Sequence, residues 1–208
     1  MKMKNHIIIS LLFLSVGLCQ QLSEVIETYH NGNIKSITYH KKTRNGIEKV
    51  NEERYFENGQ KKFEGLIRNG DSTGVWISWY DNGQKEKEGT FKDGKKDGNW
   101  IKWEENGNKI QFIYNNGKKK SEETYKNDIK DGLSTSWYDN GQKGKEGTFK
   151  DGKQDGLWTH WYENGKKSYE GTFKDGKEDG LGTYWYENGK KSYEGTFKDG
   201  ELIQEELY

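Results

Sequence analysis

The sequence predicts an all-β fold: an elongated antiparallel meander of 24-residue β-hairpin repeats forming a single extended, twisted sheet. Three observations carry this. Asn-Gly glycines fall at Gly59, Gly83 and Gly107, then at Gly117, Gly141, Gly165 and Gly189, in steps of 24 within each series. A period in this range is the mark of a repeat architecture. Each copy holds two turn signals, Glu-Asn-Gly as at Glu163–Gly165 and Lys-Asp-Gly as at Lys174–Gly176, and both fit positions of positive φ. The aromatic residues also recur in register. That periodicity argues for order, even though only 29% of the chain is hydrophobic and 33% is charged. The absence of proline suits a chain made mostly of paired strand.

Between turns there is room for one strand of six to nine residues, so the simplest product is an up-and-down meander. In the copy from Leu157 to Gly180, Leu157, Thr159 and Trp161 point one way and Trp158, His160 and Tyr162 the other. In the next strand Tyr169, Gly171 and Phe173 share a face. A two-residue Asn-Gly loop would put them on the side of Trp158. A three-residue Glu-Asn-Gly loop with a glycine bulge joins them instead to Leu157, Thr159 and Trp161. The second arrangement separates apolar from polar residues better and is the one expected. On that basis the apolar face carries Trp79, Trp103, Trp137, Trp161 and Trp185, with Phe91, Phe149, Phe173 and Phe197. Gly65, Gly89, Gly147, Gly171 and Gly195 sit between ring-bearing positions, where a neighbouring aromatic lying over the bare backbone would offset the cost of a strand glycine.

Only ten residues separate Gly107 from Gly117. One extra strand, roughly Lys109 to Asn115, is expected there. It should carry the later Glu-Asn-Gly turns to the opposite edge of the sheet, so that Gly83 and Gly165 lie on opposite sides. Residues 20–54 keep turns at Asn31-Gly32 and Asn45-Gly46 but lack tryptophan, and read as a degenerate N-terminal repeat or cap. Residues 55–200 form the repeat array, and 201–208 a last strand and C-terminal cap.

Residues 1–19 read as a secretory signal peptide: Lys2 and Lys4, an apolar run from Ile7 to Leu18, and a plausible cut before Gln20. Its removal leaves 32 basic against 34 acidic residues. An exported chain (periplasmic, cell-surface or secreted) is therefore expected. Cys19 is the only cysteine, and Leu18 before it disfavours a lipid anchor there. The near-neutral surface carries no nucleic-acid footprint, and no integral membrane segment is expected in the mature chain.

The elements Trp-Tyr-Glu-Asn-Gly, Glu-Gly-Thr-Phe-Lys-Asp-Gly and Lys-x-Asp-Gly, recurring between about Tyr55 and Gly200, resemble the bacterial variant of the MORN (membrane occupation and recognition nexus) repeat. Proteins of this kind are often labelled YwqK-type antitoxins. The resemblance implies a β-hairpin array with a binding or scaffolding role and no known catalytic residues.

The residues themselves offer no unique reaction centre. His6, His30, His40 and His160 do not recur at equivalent positions or at metal-ligand spacing, and His160 reads as a variable surface position. Carboxylates repeat with the units, so no pair stands in a distinct environment. In Asp93–Gly98 a lysine occupies the third position, where a calcium loop needs oxygen. No catalytic residue, metal or cofactor is assigned. The remaining candidate is a second aromatic stripe, Trp76, Tyr80, Trp100, Tyr138, Trp158, Tyr162 and Tyr186, as a ligand or partner surface. The expectation is a non-enzymatic, exported protein-interaction scaffold with an unidentified protein partner. The alternatives are a glycan or cell-wall binding module using that stripe, and an antitoxin or immunity protein.

Overall fold

The computed structural model describes the backbone of His6–Leu11 and of residues 22–208, and the side chains from residue 24 onward. Most of the expected leader, including Cys19, lies outside the described residues. The described chain is strand and turn, and folds as two units. The first holds β1 (His6–Leu11), β2 (Leu22–Thr28), β3 (Ile34–Thr43), β4 (Gly46–Tyr55), β5 (Lys61–Arg68), β6 (Asp71–Trp79) and β7 (Lys85–Lys92). β1 to β7 pair antiparallel, each with the next. β8 (Lys95–Trp103) leaves this unit after Trp100.

The second unit continues the same way through β9 (Lys109–Asn115), β10 (Lys118–Lys126), β11 (Ile129–Trp137) and β12 (Lys143–Lys150). β13 (Lys153–Gln154) and β14 (Gly156–Trp161) are one strand broken by a bulge, and both pair with β12. β15 (Lys167–Lys174), β16 (Lys177–Trp185), β17 (Lys191–Lys198) and β18 (Glu201–Leu207) complete it.

Both turn signals act as their residues dictate. The Lys-Asp-Gly turn is a two-residue loop with positive φ at both central positions, 53° at Asp175 and 84° at Gly176. That is the type I′ geometry whose twist matches the flanking strands. In the Glu-Asn-Gly turn, the Tyr162 N–H donates to the Lys166 carbonyl and the Gly165 N–H to the Tyr162 carbonyl, each at 2.9 Å. The loop is thus three residues closed by a glycine bulge, as expected.

The faces nevertheless combine the other way. One residue beyond the loop the register slips: His160 faces Tyr169, but Trp161 faces Lys167, so Ser168 has no partner. The same slip leaves Lys35, Lys62, Glu86, Gly144 and Ser192 unpaired in the equivalent hairpins. This second bulge shifts parity by one and cancels the shift made by the loop. Trp158 therefore lies opposite Gly171 and Gly156 opposite Phe173. The expected union of Leu157, Thr159 and Trp161 with Tyr169, Gly171 and Phe173 is corrected. Trp158 and His160 share the face of Tyr169 and Phe173; Leu157, Thr159 and Trp161 occupy the reverse. Trp158 is 4% exposed and Leu157 57%. The row of Trp79, Trp137, Trp161 and Trp185 likewise leaves the phenylalanine face.

The extra strand is β9, with the bounds expected of it. Within the second unit it reverses the edge at which Glu-Asn-Gly turns emerge. Lys109, beside the Gly107 turn, pairs with Asp128, whereas Lys120 pairs with Asp139, beside the Gly141 turn. Gly107 and Gly165 consequently lie at opposite edges of that unit's sheet.

Candidate binding faces

The Glu-Asn-Gly edge is a hydrogen-bonded ladder. Each loop asparagine closes an Asx turn, its Oδ1 accepting the N–H two residues on, as Asn164 does from Lys166 at 2.9 Å. Two of these amides in the second unit also reach the next repeat: Asn140 Nδ2 donates to the Glu163 carbonyl at 2.6 Å and Asn164 Nδ2 to the Glu187 carbonyl at 3.0 Å. Tyr138 and Tyr162, beside these loops, do the same. Tyr138 Oη donates to the Trp161 carbonyl at 2.7 Å and Tyr162 Oη to the Trp185 carbonyl at 2.6 Å. In the first unit Tyr29 Oη donates to the Tyr55 carbonyl at 2.8 Å and Asn58 Nδ2 to the Asp81 carbonyl at 2.8 Å. Tyr138 and Tyr162 thus stitch neighbouring hairpins together at the edge. Tyr80 and Tyr186 hold the equivalent positions, and Tyr186 is exposed.

Trp76, Trp100 and Trp158 belong to the phenylalanine face. Each indole lies over the strand glycine preceding it, Gly65, Gly89 and Gly147 respectively; a Cβ on any of these would fall within 2.3 Å of the ring. The bare backbone is what lets the ring descend, and the ring in turn shields the backbone. Each Nε1 donates to a carbonyl ten residues earlier: Leu66 at 3.1 Å, Thr90 at 3.0 Å and Thr148 at 3.1 Å. Edge-on phenylalanines complete the row, with Phe91 5.1 Å from Trp76 and Phe149 5.1 Å from Trp158. Such pairs add about 0.5–1.5 kcal/mol each beyond area burial.

At position 182 a glycine replaces the tryptophan. Tyr169 takes over there, its hydroxyl covering Gly171 and donating to Glu178. Burial first, and then the Glu178 carboxylate, push the Tyr169 hydroxyl far above the ordinary tyrosine range. The seven-residue stripe read from the sequence is therefore divided: Trp76, Trp100 and Trp158 pack on the phenylalanine face, and Tyr138 and Tyr162 are tied along the edge.

His160 also changes role. It lies 5.0 Å from Tyr169 in the ring row rather than on a variable surface. Burial, aided by Lys145, pulls its pKa below the usual histidine value.

The reverse face of the second unit carries an apolar row. Leu133, Leu157 and Leu181 recur at 24-residue spacing and are 44%, 57% and 54% exposed. They stand on alternate strands, about 9–10 Å apart. Beside them run repeated polar trios. Thr135 donates to Glu146, Thr159 to Glu170 and Thr183 to Glu194, at 3.1–3.3 Å. Lys143, Lys167 and Lys191 pair with those same glutamates. Among the described residues no cluster of three His, Cys, Asp or Glu has metal-holding geometry. No described helix is long and apolar enough to cross a membrane. The Asp93-Gly94 segment is a type I′ turn, and Lys96 Nζ beyond it lies 4.4 Å over the Trp100 ring.

Two family descriptions match these hairpins. The MORN repeat variant covers residues 72–93, 109–127, 130–151 and 154–175; the MORN repeat covers 88–99, 169–191 and 193–202. The chain is a MORN-repeat protein. No curated protein matches it.

The MORN repeats place every rung of the leucine row inside a matched segment: Leu133 in 130–151, Leu157 in 154–175 and Leu181 in 169–191. The periodicity of these leucines was plain in the sequence; their exposure was not, because it follows from the bulge at Ser168. The same bulge moved the tryptophans of the Trp-Tyr-Glu-Asn-Gly element to the leucine side. There Lys143 Nζ and Lys167 Nζ each lie 5.9 Å over the indole of the next repeat, Trp161 and Trp185. The MORN hairpin thus has aromatic rings on both faces, closely packed on one and partly covered by lysine on the other.

Proposed function

We propose that this MORN-repeat protein is a non-enzymatic scaffold that holds a protein partner on the leucine face of its second unit, in the cell envelope or outside the cell. The observation that carries this is the row Leu133, Leu157 and Leu181: large apolar side chains, evenly spaced, exposed on three successive repeats. Scattered surface leucines need no explanation, but an aligned row flanked by charged trios has the make-up of an interface, apolar at the centre and polar at the rim. Identical rungs suit a partner with its own apolar ridge, since each rung contributes without a unique pocket. The leader-like first 19 residues support export.

A photo-crosslinking residue at position 157 tests the reading. In the envelope fraction it is expected to give one discrete protein adduct. A companion carrying Leu133→Ser and Leu181→Ser should lose that adduct and keep the β-sheet circular dichroism of the parent. An adduct unchanged by these substitutions overturns the leucine-face interface. The narrower antitoxin reading places the partner in the cytoplasm, so fractionation that recovers the chain only there favours it over the scaffold.

A further inference from the structure

In the first unit Trp76 is less covered than its counterparts at the same repeat position. Trp100 and Trp158 are 5% and 4% exposed, but Trp76, at the same repeat position, is only partly buried. Two small residues account for the difference. Ser72 stands 24 residues before Lys96, whose ammonium caps Trp100. Ser78 stands where His160 and Tyr184 pack into the ring row of the second unit. Ser136 holds that position too, but the residue beside it is Ser134, not tryptophan. Only at Ser78 does a small residue open space against an indole.

The space is a cavity of about 620 Å³, within the range of small-molecule sites. Phe63 and Trp76 line it, their rings 4.7 Å apart and tilted by 54°, with the Arg54 guanidinium 5.8 Å over Phe63. Its rim is polar and mixed in sign. Arg54 and Lys62 offer donors, and Glu52, Asp81 and Glu86 offer acceptors. Several of these groups are held in place: Arg54 Nε donates to Glu52 at 2.6 Å and Ser78 Oγ to Glu86 at 3.1 Å. Although burial alone would raise it, the hydrogen bonds from Lys49 and Arg54 hold the Glu52 carboxyl below its usual range.

We propose that this cavity is a saccharide site, taking one or two residues of a neutral glycan with the apolar face of a sugar ring laid on Trp76 beside Phe63. An anion would meet three carboxylates and a cation would meet Arg54 and Lys62. A neutral ring that both donates and accepts hydrogen bonds from its hydroxyls, and presents C–H groups on one face, satisfies the rim without opposing either charge. The site is separate from the leucine face and does not depend on it.

Calorimetry and tryptophan fluorescence of the full chain with cellohexaose, chitohexaose and laminarihexaose test this. At least one hexasaccharide is expected to bind with a Kd of about 1 mM or below. Ser78→Tyr, which imports the side chain that Tyr184 supplies natively, should weaken it at least about tenfold with an unchanged urea midpoint. Ser72→Lys, by capping the indole, should act in the same direction, and Leu157→Ser should leave binding intact. No response to any of the three sugars at about 10 mM, equal binding by Ser78→Tyr, or binding of a proline-rich peptide in place of any sugar overturns the proposal.

Discussion

The indole of Trp158 fills the space that a side chain on Gly147 would need. A Cβ at 147 would lie 2.2 Å from Trp158 Cδ2, and the ring is held there by its Nε1 bond to the Thr148 carbonyl. Glycine and tryptophan are thus one unit of packing shared across two strands. Gly147→Ala must lift the ring and break that bond. Overpacking plus a lost hydrogen bond should destabilise the chain by about 2–3 kcal/mol, read as a lower urea midpoint.

Adjacent residues should behave oppositely. Trp158→Ala removes a ring from the packed face and should cost about 3–5 kcal/mol. Leu157→Ser changes a side chain on the exposed row and should stay within about 0.5 kcal/mol of the parent. A loss at Leu157 as large as that at Trp158 in urea melts would overturn this assignment of the two faces.

His160 makes the second unit sensitive to pH. Its folded pKa lies below the ordinary value of 6.5, so between the two values the unfolded chain binds more protons than the folded one. Stability is therefore fully present above pH 6.5 and falls as pH drops through the window below it. His160→Tyr, copying Tyr184, should flatten the dependence of the urea midpoint between about pH 7 and pH 5, while carboxylate-driven losses at lower pH persist in both proteins.

The edge ladder separates local from inter-repeat terms at one residue. Asn164→Ala removes both the Asx turn and the bond to the Glu187 carbonyl, and should cost about 1–2 kcal/mol. Asn164→Asp keeps the acceptor and loses only the donor, so its loss should be smaller. Chemical denaturation of the two variants gives the comparison, and equal losses would assign all of the stabilisation to the inter-repeat bond.

Much of the architecture was legible because its determinants are local. Asp-Gly and Asn-Gly pairs adopt positive φ cheaply, and Glu-Asn-Gly closes a three-residue loop, so strand limits and the extra strand at Lys109–Asn115 could be read from spacing alone. The candidate site was legible only in part. The recurrence of Trp76, Trp100 and Trp158 was visible, but whether they face solvent depends on partners ten residues away in sequence and one strand away in space.

The sequence by itself determined the period, the turns and the order of strands, since each follows from the conformational preferences of two or three adjacent residues. Only the tertiary structure decided which side chains share a face. That rests on the unpaired residue at Ser168 and its counterparts, which no turn chemistry announces. In the Ser168 hairpin the slip puts Trp158 on the face of Tyr169 and Phe173, so that the large rings bury one another on one side of the sheet, and that burial offsets one unpaired residue in the ladder.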